Sequence, residues 1–288
     1  MSNAQLSAQP ALDNARPTAS VRATVRAGIY TRAFAGLLLR DARVLVREIV
    51  PFLIRTIMNP LLFVFVFTYV FPLTGHGISG GEADFTRILV PGLVAASLFF
   101  PSITGVAMPL SVELGGTREI EDRLMAPLPV SLVAIEKIVF SSFQSIMAAI
   151  IVFPLVSVVP VVPVSVHVAS WPLLISVALL STLATGALGL SLGTLIPPKQ
   201  IGLIFSTLVM PLTFLGCVYY SWTRLASIRW LQIAVLVNPV VYVSEGLRAA
   251  LTPDVPHMPP AAFLGALLVA SGILVWIGVR SFVRRVIS

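Results

Sequence analysis

A single cysteine, Cys217, stands in 288 residues, so no intramolecular disulfide can staple this chain. Charge is nearly as scarce. Asp, Glu, Lys and Arg together make up 11% of the sequence, against about 25% in an ordinary soluble domain. There are three histidines, His76, His167 and His257, far apart in predicted loops, which read as lone surface residues, so no metal site is assigned. No Gly-x-x-x-x-Gly-Lys-Ser/Thr string occurs, and no glycine is followed by lysine, so no phosphate-cradling loop and no ATPase site are expected in this chain.

Apolar residues fill the space that charge leaves. They form 57% of the chain, and the mean hydropathy is +0.97, values that belong to an integral membrane protein. The net charge of +7 invites a nucleic-acid reading, but eight of the nineteen basic residues precede residue 56. Aromatic residues are not interleaved with them as a single-strand platform requires. The bilayer surface is therefore the expected partner of this basic flank, and no nucleic acid is.

The expected fold is all-α, with six transmembrane helices. Residues 1–28, rich in Ala, Ser, Pro and Arg, read as a disordered cytoplasmic tail. Residues 29–50 form an amphipathic interfacial helix, with Phe34, Leu38, Ala42, Leu45 and Ile49 on one side and Arg32, Arg40, Arg43 and Arg47 on the other. The transmembrane domain occupies 51–288, with spans at 51–73, 88–110, 132–156, 171–196, 201–219 and 261–279. Between the last two, the apolar run 233–243 is short and contains Asn238-Pro239, which favours a re-entrant helical element over a seventh span. With both termini cytoplasmic, this count leaves fifteen basic residues inside and four (Arg87, Arg224, Arg229 and Arg248) outside, as the positive-inside rule requires.

Two matches look catalytic. Gly75–Gly80 satisfies G-x-G-x-x-G but follows a span rather than a strand of a βαβ unit. Gly189-Leu-Ser191-Leu-Gly193 satisfies the G-x-S-x-G nucleophile elbow, yet it lies inside a span with no His or Asp partner at that depth. Close helix packing through Gly186, Gly189 and Gly193 is the better reading. No acidic residue is expected in mid-span, so an ion-coupled carrier has little support. A polar island remains at 113–129, between two runs of bilayer length, where Arg118, Glu119, Glu121, Asp122, Arg123 and Leu124 offer mixed charge to a partner.

Several strings carry a family likeness. They are Glu121-Asp-Arg-Leu-Met-Ala-Pro-Leu-Pro129, the glycine-rich 188–197 segment, Met210-Pro211, Trp230-Leu231 and Asn238-Pro239-Val-Val-Tyr-Val-Ser-Glu245-Gly-Leu-Arg248. From about Thr31 to its end, the chain resembles the ABC-2 type membrane subunits of ATP-binding-cassette exporters. Its Gly115-Gly116-Thr117 group sits slightly earlier than in the family pattern. The resemblance implies a coupling helix in the 118–124 loop docking into a separate ATP-binding subunit, which would hold the ATP and Mg. It implies two permease subunits, expected as a homodimer, around the transport path in the cell (inner or plasma) membrane. It also implies that Arg40, Arg43 and Arg47 sit on the interfacial helix, and that Asn238, Pro239, Glu245 and Arg248 build the re-entrant element. Asp122-Arg123-Leu124 ahead of Pro127 looks closest to the drug-resistance branch, so a hydrophobic drug or lipid-like cargo is expected. A lipid-linked polysaccharide exporter is the alternative. From other classes, a secondary carrier and an intramembrane hydrolase using Ser191 stand beside it.

Overall fold

The computed structural model describes residues 19–66, 70, 82–117, 128–158 and 168–287. Helix α1 (Ala19–Arg47) starts ten residues before the expected boundary at Ile29, so part of the expected tail is helical. Its buried and half-buried positions include Phe34, Leu38, Ala42 and Leu45, and Ile49 just beyond its end is half-buried too, the stripe that the sequence period selects, while Arg32, Arg40, Arg43 and Arg47 are exposed. The chain leaves helical geometry at Glu48 and turns 73° into α2 (Ile49–Phe65). Pro51 sits in the first turn of α2, where a missing N–H costs no intrahelical bond.

Helix α3 (Glu82–Val112) carries Pro91, Pro101 and Pro109, and ends in a π-helical turn, Glu113–Thr117. Helix α4 (Val130–Val158) and helix α5 (Trp171–Leu195) follow. Pro172 in the first turn starts α5, and Pro197-Pro198 stops its continuation. The fifth expected span is a rod of three joined pieces: α6 (Pro198–Ile204), a π-helical turn (Phe205–Val209) and α7 (Met210–Phe214). It is shorter than 201–219 implied, because the chain unwinds at Leu215 and reaches Cys217 with φ of 54°, a left-handed conformation no helix continues through.

The 220–260 region folds back on itself, as a re-entrant element should. Short helix α8 (Arg229–Ala234) and a 3-10 turn (Val235–Val237) lead to α9 (Pro239–Leu251) across a bend of 100° at Asn238. Helix α10 (Pro260–Ile287) closes the chain. Among the described residues there is no strand, and four helices are long and apolar enough to cross a membrane, or up to six if each bent pair is one span. This is an all-α membrane protein.

Helix α5 lies at the centre, packed against α3, α4, α9 and α10. It approaches α3 backbone to backbone, because a Cβ at Gly189 would stand 2.7 Å from the Ile103 carbonyl oxygen, and one at Gly193 2.9 Å from that of Ala107. Several hydroxyls in this bundle are satisfied on their own helix: Thr185 donates to the Ser181 carbonyl, Ser191 to Ala187 and Thr194 to Leu190. These three side chains can therefore line an apolar helix with their donors engaged.

Candidate functional site

Three features of the bundle go beyond packing. The first is a clamp in the re-entrant hairpin. Proline at the first position and asparagine just before it start α9 by local chemistry. The Asn238 side chain accepts from the Val240 amide at 3.0 Å and donates to the Leu212 carbonyl of α7 at 2.6 Å. About two turns further on, Glu245 and Arg248 pair with each other, both with no solvent exposure at all. Glu245 Oε1 also accepts from the Trp222 amide at 2.9 Å, and Oε2 from the Met258 amide at 2.9 Å. Arg248 Nη2 donates to the carbonyl of Cys217 at 3.0 Å and to that of Tyr220 at 3.4 Å. The left-handed turn at Cys217 thus delivers a carbonyl to a buried guanidinium. One ion pair ties together the turn after α7, helix α9 and the loop before α10.

All four residues singled out in this element, Asn238, Pro239, Glu245 and Arg248, are brought together here. In sequence Glu245 and Arg248 follow the 233–243 run; in the fold they are at the heart of the packing. Mutual neutralisation permits this, with both oxygens of the carboxylate engaged.

The second feature is a buried ion pair between α3 and α4. Lys137 Nζ lies 2.8 Å from Glu113 Oε2 and 3.1 Å from Oε1, and both residues are buried. Neighbouring Glu136 is fully buried as well. Sequence reasoning placed Lys137 among cytoplasmic charges and missed the pairing, because 24 positions separate the partners and no periodicity links them.

The third is a cavity of about 510 Å³ between α2, α3 and the α6–α7 rod, with Gln144 of α4 at one side. Its walls are mostly apolar and aromatic, including Phe52, Phe63, Phe100, Phe205 and Phe214, with Phe63 stacked on Tyr219 at 5.0 Å. Ser97, Thr104 and Thr213 also line it, but each donates to its own helix, leaving acceptor lone pairs for a guest. Arg55, exposed to solvent, supplies the one charge among the lining residues.

The coupling candidates Arg118, Glu119, Glu121, Asp122, Arg123 and Leu124 lie outside the described residues, as do Gly75–Gly80, His76 and His167. Ser191 is buried and donates to the Ala187 carbonyl at 3.0 Å, with no hydrogen bond to a catalytic base among the described residues, so the elbow motif reads as a helix-packing motif.

A family model for ABC-2 type transporters matches residues 33–252. The chain belongs to the ABC-2 type transporter family. It is also 28% identical over 206 residues to the inner membrane transport permease YadH of Escherichia coli K12. That match covers 70% of this chain and 75% of the relative, and the Shigella flexneri protein of the same name matches to the same extent. In this ABC-2 protein the matched region runs from α1 through α9 and contains the clamp, the Glu113–Lys137 pair and every cavity-lining residue. Family and architecture together make the chain a membrane transport subunit rather than a soluble enzyme.

Proposed function

We propose that this chain is the permease subunit of an ABC exporter, moving a hydrophobic drug or lipid-like molecule out of the cytoplasm or inner leaflet. ATP and Mg are bound by a separate ATP-binding subunit, and two permease copies pair around the path. The observation that carries the cargo is the cavity, whose 510 Å³ and aromatic walls suit a drug-sized apolar guest fixed by a few polar groups. A lipid-linked polysaccharide asks for a wider, more hydrated passage. The name of the relative, an inner membrane permease, supports the inner membrane as the location. Both termini face the cytoplasm in this reading.

Energy enters through the 118–124 segment, which docks on the ATP-binding subunit. Nucleotide binding then shifts the permease between two states that differ in affinity for that subunit. The buried cations Lys137 and Arg248 each face a carboxylate, which supports a structural role for them over a proton relay.

Two variants test the reading in lipid nanodiscs with the ATP-binding subunit. Glu121→Ala with Arg123→Ala should abolish copurification and modulation of ATPase turnover. Thr213→Phe, which fills the cavity, should leave basal turnover intact and remove its stimulation by apolar compounds. Stimulation that survives Thr213→Phe across a compound panel would refute the cavity as the cargo site.

A further inference from the structure

We infer that the cavity takes an amphiphile with an anionic head, held by Arg55, Thr56 and Gln144 while its apolar body lies among the aromatic rings. This rests on the exporter reading above and narrows its cargo to hydrophobic acids.

The polar side chains of the lining divide into two sets. Ser97, Thr104 and Thr213 donate to carbonyls of their own helices, at 2.7, 2.8 and 3.0 Å. Thr56 of α2 and Gln144 of α4 do not. Both line the cavity with relative exposures of only 8% and 9%, and neither makes a hydrogen bond to any described residue. Buried polar side chains without a partner are rare, because water lost without replacement costs free energy. Two of them on one cavity can be satisfied by a single guest.

The backbone supports this placement from both helices. Phe52, Thr56, Pro60 and Phe63 recur at helical spacing, so one face of α2 forms the wall. Pro60 has no N–H and cannot donate to the Thr56 carbonyl, its ordinary helical partner. On the other side, a Cβ on Gly105 of α3 would stand 2.5 Å from Gln144 Oε1, so the carboxamide occupies space that a glycine leaves open. A carboxamide both donates and accepts, which suits a polar head better than a bare charge.

Arg55 sets the sign. It is the one charged lining residue, and among the described residues no acidic group pairs with it. Arg55 is exposed whereas Thr56 and Gln144 are buried, which puts the charge at the rim and the neutral groups inside. Beside apolar walls an uncompensated cation attracts an anion more strongly than it does in water. Its planar fork matches the oxygens of a carboxylate or a phosphate. That head chemistry is shared by free amphiphilic acids and by anionic bilayer lipids.

The test titrates the complex with its ATP-binding subunit, in phosphatidylcholine nanodiscs, with dansylaminoundecanoic acid and with its methyl ester. The ester keeps the apolar body and loses the charge, and empty nanodiscs give the lipid background. The acid should bind at least about tenfold more tightly than the ester. Arg55→Gln should bring the two within about twofold of each other, and Arg55→Lys should keep part of the preference. Gln144→Leu should weaken acid binding by about fivefold or more, with a melting midpoint no lower than the parent's, since it removes a buried amide that has no partner. A purely structural side chain would move binding and stability together. Gly105→Ala displaces the carboxamide and should weaken acid binding in the same direction. Nanodiscs containing phosphatidylglycerol separate the two sources: displacement of the acid marks a lipid head, and unchanged binding marks a free amphiphile. Acid and ester bound equally, with both lost in Thr213→Phe, would overturn the anionic head and leave the cavity as the cargo site. A preference for the acid that survives Arg55→Gln or Thr213→Phe would overturn the proposal, as would acid binding unchanged in both Gln144→Leu and Gly105→Ala. If neither probe shows binding that Thr213→Phe removes, the cavity reading itself falls, and the head site with it.

Discussion

Arg248→Met is the sharpest probe of the hairpin. It leaves Glu245 fully buried and charged, with only the amides of Trp222 and Met258 to solvate it, and it strips the Cys217 and Tyr220 carbonyls of their donor. Breaking a buried pair from one side costs about 3–5 kcal/mol. At roughly 2–4 °C per kcal/mol for a chain of this size, the melting midpoint in mild detergent should fall by about 6–20 °C. Glu245→Gln should cost a similar amount from the other side, since a carboxamide has one acceptor oxygen and its NH₂ cannot accept from the second backbone amide. The double substitution removes the lone charge and should be less damaging than the sum of the singles by about 2 kcal/mol. Cys217 supplies an independent readout. It is fully buried in the native protein, so maleimide labelling should be slow in the parent and fast once the turn that Arg248 holds is released. If Arg248→Met melts within about 2 °C of the parent and leaves Cys217 protected, the clamp is not what holds this region.

Three further substitutions separate packing from chemistry. Gly189→Leu drives a side chain into the Ile103 carbonyl, 2.7 Å from the Cβ position, and should destabilise the bundle by at least about 1–3 kcal/mol, seen as a lower melting midpoint. Ser191→Ala removes only a hydroxyl bonded back to the Ala187 carbonyl; transport and stability should both stay close to the parent, whereas a hydrolase would be dead. Asn238→Ala removes the cap on α9 and the bond to Leu212, and should cost about 1–2 kcal/mol, with protease cutting of the hairpin as the check.

How much of this was legible beforehand follows the physics of each signal. Spans and the amphipathic face of α1 depend on local composition and period, so apolar length and 100° spacing were enough to find Phe34, Leu38, Ala42, Leu45 and Ile49. Asn238-Pro239 announced a helix start inside a short apolar run, and the 100° bend stands there. What local signals cannot carry is pairing at a distance. Glu113 and Lys137 were read as surface charges because scarcity of partners within a window looks the same as solvation. The end of the α6–α7 rod was misjudged for a related reason: Gly216 and Cys217 lie in an apolar string, and the left-handed turn there depends on a guanidinium 31 residues away. The cavity was invisible for want of any periodic mark, since it is a gap between helices rather than a property of one.

The distribution of buried charge also says which parts of the molecule act as one piece. Helices α3, α4, α9 and α10 all pack against α5. The Glu245–Arg248 clamp secures the loop into α10 at one end of this group, and Lys137 secures α3 to α4 at another. Helix α2 and the α6–α7 rod stand outside that set; apolar contacts hold both, the Asn238–Leu212 bond and the Arg248 bonds to the Cys217 and Tyr220 carbonyls anchor the far end of the rod, and the two elements form two of the cavity's walls. Apolar contact is non-directional, whereas a desolvated ion pair fixes distance and angle, so the cheapest large motion available is a shift of these two elements against the charged-stapled group. A cavity with closely packed helices on one side and separately held elements on the other can change shape without loss of the fold.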